Sequence, residues 1–166
     1  MLRFILIGYL LLSAFHLKAQ DSLNGTWTNK ISQLYQYNQT KITIKHGVAG
    51  TLTMRAGDCM PGSHVGCKEF PVKCKLKIYT PIPYIRDVNK ALATFPKPKL
   101  IKAIETDEDG FYQTKLKFGD YSILIESNGN LYENSILNIR AKGRDGFGVG
   151  KKGVSRYNIQ WNTASD

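Results

Sequence analysis

The sequence predicts an all-β sandwich of seven antiparallel strands behind a short N-terminal extension. Three features carry that expectation. From Gly47 onward, apolar and polar residues alternate in short runs, the period of strands buried on one face. Turn residues punctuate those runs at 107–110, 118–120 and 128–130. The chain that follows the leader described below is the size of one domain and can bury a real core.

Taken in order, Ile31, Leu34 and Tyr35 fall on one helical face, and Ile42 and Ile44 fit a strand over residues 41–45. Residues 20–45 are too short to bury their own core and are expected to pack on the sandwich domain, 46–166. In the first strand Val48, Leu52 and Met54 alternate with Ala49, Thr51, Thr53 and Arg55. The second, 72–79, alternates strictly, with Val72, Cys74, Leu76 and Ile78 inward and Lys73, Lys75 and Lys77 outward. Residues 100–106 form the third. Gly110 closes the next turn by supplying positive φ, and Tyr112, Thr114 and Leu116 then oppose Gln113, Lys115 and Lys117. Tyr121, Ile123 and Ile125 begin a fifth strand, and residues 131–140 hold a sixth over 136–139. In the last, Ser155, Tyr157, Ile159 and Trp161 alternate with Arg156, Asn158, Gln160 and Asn162. Two insertions interrupt the pattern. Residues 80–99 carry Pro81, Pro83, Pro96 and Pro98 around one or two helical turns capped by Asp87. Residues 142–153 are a Gly-rich, basic loop with no apolar period.

The first nineteen residues read as a secretory signal. Arg3 precedes an apolar run over 4–15, a short polar stretch follows, and Ala19 offers a small residue for the cut. The run is shorter than the roughly 20 apolar residues a membrane span needs, and no later stretch could span. The expected location is therefore exported: periplasmic, secreted or on the cell surface. The chain carries 23 Lys and Arg against 13 Asp and Glu, and the leader removes only Arg3 and Lys18. That positive balance favours acidic partners such as anionic glycans or lipid head groups. Export argues against nucleic acid.

Three cysteines in an oxidising compartment predict one disulfide and one free thiol. Cys59 and Cys67 flank the Gly/Pro-rich loop 60–66 and are the expected pair. Cys74 lies on the apolar face of its strand, where a free cysteine behaves as a small hydrophobe. A zinc reading of Cys59, His64 and Cys67 supplies only three ligands and lacks the usual paired spacing.

The block Thr106-Asp107-Glu108-Asp109-Gly110-Phe111-Tyr112, followed by Leu116-Lys117-Phe118-Gly119-Asp120-Tyr121, resembles the carboxypeptidase regulatory-like domains of secreted bacterial proteins. Phe118 stands where that family usually has proline. Gly47-Val48-Ala49-Gly50-Thr51-Leu52 resembles the family's opening strand, and Gly57-Asp58-Cys59-Met60-Pro61 resembles a segment that follows it. The resemblance implies a transthyretin-like (prealbumin-like), Greek-key sandwich with a noncatalytic binding or accessory role. Physically, Gly110 permits the turn, Gly119 permits a bend, and Tyr121 can direct its hydroxyl at the backbone of a corner.

Catalytic constellations are hard to assemble from these residues. After the leader only His46 and His64 remain to serve as bases. The histidine, arginine and C-terminal Tyr-Arg-Gly-Ser set of transthyretin-like hydrolases is not matched by Ser155-Arg156-Tyr157-Asn158, and no His-x-x-Glu occurs. No cofactor is implied. The acidic turn at 107–109 invites a Ca²⁺ reading but lacks EF-hand spacing. Residues 146–152 lack the spacing of a phosphate loop, although Arg144, Lys151 and Lys152 could hold an anion beside their backbone amides. Lys73, Lys75 and Lys77, with Lys115 and Lys117, would make one basic face if their strands share a sheet. Otherwise such lysines protect strand edges from aggregation. Trp27, Tyr35, Tyr37, Tyr79 and Tyr84 are candidate sugar platforms.

The expectation for function is thus an exported, noncatalytic binding or accessory module whose partner is an envelope protein or glycan. Two alternatives stand beside it. One is a carbohydrate-binding module for acidic glycans. The other is a lipocalin-like carrier of small ligands, since Asn24-Gly25-Thr26-Trp27 resembles the Gly-x-Trp opening of those barrels.

Overall fold

One long strand organises half of the molecule. In the computed structural model, which describes residues 27–59, 66–83, 88–94, 96–134 and 146–163, β1 (His46–Ala56) runs through the middle of a five-stranded sheet. On one side it pairs antiparallel with β5 (Phe111–Thr114) along its first half and with β2 (Lys68–Pro71) along its second. On the other side it pairs parallel with β9 (Gly153–Arg156) and then with β10 (Ile159–Asn162). The second sheet runs β4 (Leu100–Glu105), β3 (Lys75–Tyr79), β6 (Gly119–Ser127), β7 (Asn130–Tyr132), with β8 (Gly146–Val149) also on β6. All its pairings are antiparallel.

The two sheets bury one core between them. Val48, Leu52 and Tyr112 come from the first sheet, and Leu76, Ile78, Ile123, Ile125, Phe147 and Val149 come from the second. Alternation predicted these faces for every strand but β8, because successive strand side chains point to opposite sides. Tyr157 and Ile159 complete the core from the last stretch of chain. The sheets stay separate, so the chain is a two-layer β structure and does not close into the barrel a lipocalin requires.

Four expectations change. Ten strands occur among the described residues where seven were expected: β2, β7 and β8 lie outside the predicted strands, the predicted last strand is split into β9 and β10, and the strand expected over 136–139 is not among those described. Residues 72–74 leave the ladder between β2 and β3, where the Thr106 hydroxyl takes over, donating to Val72 O (2.7 Å) and accepting from Cys74 N (2.8 Å). The last strand breaks at Tyr157 and Asn158. The Gly-rich segment expected as a loop contains β8, whose Phe147 and Val149 are buried. The all-antiparallel expectation also fails, since β9 and β10 run parallel to β1. The chain enters that sheet from β8, in the opposite layer, and so is not joined to β1 by a hairpin. Residues 41–45 form no strand. The strand expected over 136–139, the Asp87 cap and the leader lie outside the described residues.

Helix α1 (Ile31–Thr40) lies across β1 and buries Leu34 and Asn38, one turn apart on one face. The described residues of the 80–99 insertion pack on the outer face of the second sheet. Its short helix α2 (Val88–Ala93) sets Ala91, with Val88 and Leu92, against Tyr79, Ile82 and Leu124 as a second small core. No helix among the described residues is long and apolar enough to cross a membrane.

Candidate anion-binding site

The lysine stripe of β3 is largely neutralised. Lys73 pairs with Glu108 (2.9 Å) and Lys77 with Glu126 (2.7 Å), leaving Lys75 exposed. The hydrogen bonds to those carboxylates raise the pKa of both ammonium groups. Nor does the stripe protect an edge, for β3 lies between β4 and β6. Lys115 and Lys117 follow β5 in the other sheet, so the two sets do not form one basic face.

A different set of lysines is brought together at one end of the sandwich, and His46 gathers it. Its Nδ1 lies 2.8 Å from Leu116 O and its Nε2 lies 2.9 Å from Gly150 O, so the ring bridges the β5–β6 and β8–β9 connections. Lys45 precedes that ring. Lys115 and Lys117 flank Leu116, and Lys151 and Lys152 follow Gly150. All five are exposed, and none forms an ion pair among the described residues. The neighbouring acid is Asp120, placed opposite Gly148 by the β6–β8 register, and it pairs with no lysine among the described residues. Lys45, His46 and Lys115 line an open depression with Thr43 and Ile44. Phe118 is 63% exposed at the same end, with the Lys151 ammonium 5.9 Å from its ring centroid. Arg144 lies outside the described residues. Sequence reading missed Lys45, and it weighed His46 only as a base. Residues 46, 116 and 150 are too far apart in the chain for any local pattern to unite them.

The acidic turn already holds a cation of its own. Asp107 Oδ1 accepts from the backbone of Asp109 and Phe111, which fixes the turn that Gly110 closes at φ +67°. Lys41 then reaches in from the end of α1, 2.8 Å from Asp107 and 2.7 Å from Asp109. Burial pulls the Lys41 pKa down, but its bonds to the two carboxylates outweigh this and leave it raised. The ammonium therefore occupies the place a Ca²⁺ would need. Trp27 Nε1 donates to Asp109 (2.9 Å), and its ring stacks on Tyr37. Tyr79 packs under the 80–99 insertion on the other sheet, so the candidate sugar platforms do not line up in one row. Tyr84 lies outside the described residues.

Cys59 and Cys67 are joined, with Cα atoms 4.7 Å apart. The bond leaves neither sulfur as a thiolate for zinc, and His64 lies outside the described residues. Cys74 is the free thiol: half-buried, its Sγ 3.1 Å from Glu126 O, with burial pushing its pKa up. Thiol counting on the unfolded, unreduced chain is expected to find one reactive group. Replacing both Cys59 and Cys67 by serine should lower stability in urea by about 2.5 kcal/mol, the loop-closure term for so short a ring. An unchanged midpoint would contradict that.

The chain matches no family model, no curated protein and no solved structure.

Proposed function

We propose that this chain is an exported, noncatalytic sandwich of the transthyretin-like type that binds an envelope component through its basic end, with acidic glycans as the ligand class. The observation that carries the proposal is the set Lys45, Lys115, Lys117, Lys151 and Lys152, exposed around the His46 bridge and without an ion pair among the described residues. Like charges held close repel one another and weaken the folded state unless a counter-charge arrives. Lys41, Lys73 and Lys77, by contrast, each have an acid within reach. Lysine also suits a polyanion with irregularly placed charge, because its ammonium is a flexible point charge with three donors.

Two further observations support the compartment and fold type. The Cys59–Cys67 disulfide fits an oxidising location. The Tyr121 hydroxyl donates to Lys117 O (3.0 Å) while its ring stacks on Phe147, the corner role anticipated for it.

Heparin serves as the probe of acidic-glycan binding. Changing Lys115, Lys117, Lys151 and Lys152 together to glutamine is expected to weaken binding about 100-fold at low salt, roughly 0.7 kcal/mol per lysine and within the range of exposed charge contacts. Changing Lys73, Lys75 and Lys77 together to glutamine should alter it less than about threefold. Wild-type binding should fall steeply as salt screens the contacts. Equal binding by wild type and the first variant would refute the proposal.

A further inference from the structure

β4 is an open edge. It pairs with β3 on one side and with no described strand on the other. Natural sheets usually blunt such edges, because unpaired N–H and C=O groups recruit other chains. Here the edge is left sticky. Leu100 is 47% and Ile101 40% exposed, two of the four exposed large apolar or aromatic side chains among the described residues. The backbone pattern shows which groups face outward. Thr106 N donates to Cys74 O and Thr80 N to Lys99 O across the β3 side. Alternation of an antiparallel ladder then turns Lys102 and Ile104 toward β3, and Ala103 and Glu105 toward the open side.

Charge along this segment is segregated. Lys97, Lys99 and Lys102 lie toward its start, and Glu105, Asp107 and Glu108 toward its end. Lys97, Lys99, Lys102 and Glu105 form no ion pair among the described residues. A basic half and an acidic half on one strand are self-complementary only when a second copy runs antiparallel. A parallel copy would set lysine on lysine and carboxylate on carboxylate.

We infer that β4 pairs antiparallel with β4 of a second copy about a two-fold axis near Ala103, joining the two outer sheets into one. Both Ala103 residues turn their open backbone groups to the seam, and their small side chains let the strands approach. In this register Lys99 comes toward Asp107 of the second copy, Ile101 stands opposite Glu105, Lys102 opposite Ile104, and no like charges face each other. Such an interface is isologous, the same patch meeting itself. It rests on one six-residue strand, so the dimer is weak, with a Kd of roughly 10 μM to 1 mM.

Sedimentation velocity on the chain without its leader, from about 10 μM to 2 mM at low ionic strength, tests this directly. The mass should rise toward twice the monomer's with concentration. Ala103→Pro removes an N–H that faces the open side, which an edge strand tolerates. Ile101→Lys adds a charge to the exposed seam. Both variants should keep the wild-type circular dichroism and stay monomeric over the whole range. If the proline variant fails to fold, the lysine variant decides. A wild type that is monomeric at 2 mM, or folded variants that dimerise as the wild type does, would overturn the inference.

Discussion

Replacing Gly50 by alanine is expected to cost about 3–5 kcal/mol, the range of severe core disruptions, and roughly 10–20 °C in Tm. The reason lies in how β1 changes partners. Residues 46–49 pair with β9 and residues 52–55 pair with β10, and Tyr157 and Asn158 cross the gap between. There the Tyr157 carbonyl folds over Gly50 and accepts the hydroxyl of Tyr112, which is buried so fully that its pKa is pushed well up. A Cβ on residue 50 would lie 1.8 Å from Tyr157 O and 2.7 Å from its carbonyl carbon. Both neighbours are backbone, so no rotamer change relieves the overlap. The carbonyl must move by more than an ångström, which breaks its bond to Tyr112 and pushes Tyr157 out of the core. Gly150→Ala is the control. Its Cβ would meet nothing closer than Lys152 O at 3.5 Å, and its backbone is not in the left-handed region. Equilibrium unfolding in urea should place that variant within about 0.5 kcal/mol of wild type, the usual size for a surface change. Equal stability of the two variants would show that the crossing can relax.

This crossing also marks the limit of what could be read from the sequence. Period-two patterning located β1, β3 and β6, because each turns a row of apolar side chains into the core and alternation is the signature of that state. The Asp107–Gly110 turn and the Tyr121 corner were legible because a local residue type imposes the geometry. The disulfide was legible from a short loop with cysteines at both ends. Ser155 through Trp161 alternates without interruption, yet the chain breaks at Tyr157 because β1 exchanges one parallel neighbour for another there. That is a tertiary event with no local signal. β8 was hidden for a related reason. Its glycines, Gly146 and Gly148, lower strand propensity, and only pairing with β6 and the burial of Phe147 and Val149 make it a strand. The basic end was half legible. Lys115, Lys117, Lys151 and Lys152 were nominated in separate groups, but their union depends on a histidine ring spanning two connections.

The helix that covers β1 gives the second large effect, expected from an almost isosteric change. Asn38 is 2% exposed, and its Nδ2 donates to Thr51 Oγ1 and to Asp109 O, both at 2.9 Å. One side chain thus ties α1 both to the central strand and to the acidic turn. Its Oδ1 is buried without a partner. Asn38→Asp would set a carboxylate oxygen against the Asp109 carbonyl, leaving only the Thr51 hydroxyl able to turn and donate to it. About 3–5 kcal/mol should be lost at pH 7, as for other buried, unpaired charges. The pH dependence follows from the same contacts. Burial and repulsion hold the introduced carboxyl above its unfolded value of about 3.9. Below that value it is protonated in both states and can donate to one of the two acceptors, so the deficit against wild type is smallest in acid. As pH rises through 4 the unfolded chain ionises first, and the deficit grows until the folded group ionises too. Asn38→Leu separates charge from hydrogen bonding. It leaves Thr51 Oγ1 and Asp109 O without their donor but removes the orphaned oxygen and adds apolar volume. Its cost should be about 1–2 kcal/mol and independent of pH between 3 and 7. If the aspartate variant shows the same flat profile, the carboxyl must be reaching water, and α1 is held less tightly on β1 than its contacts indicate.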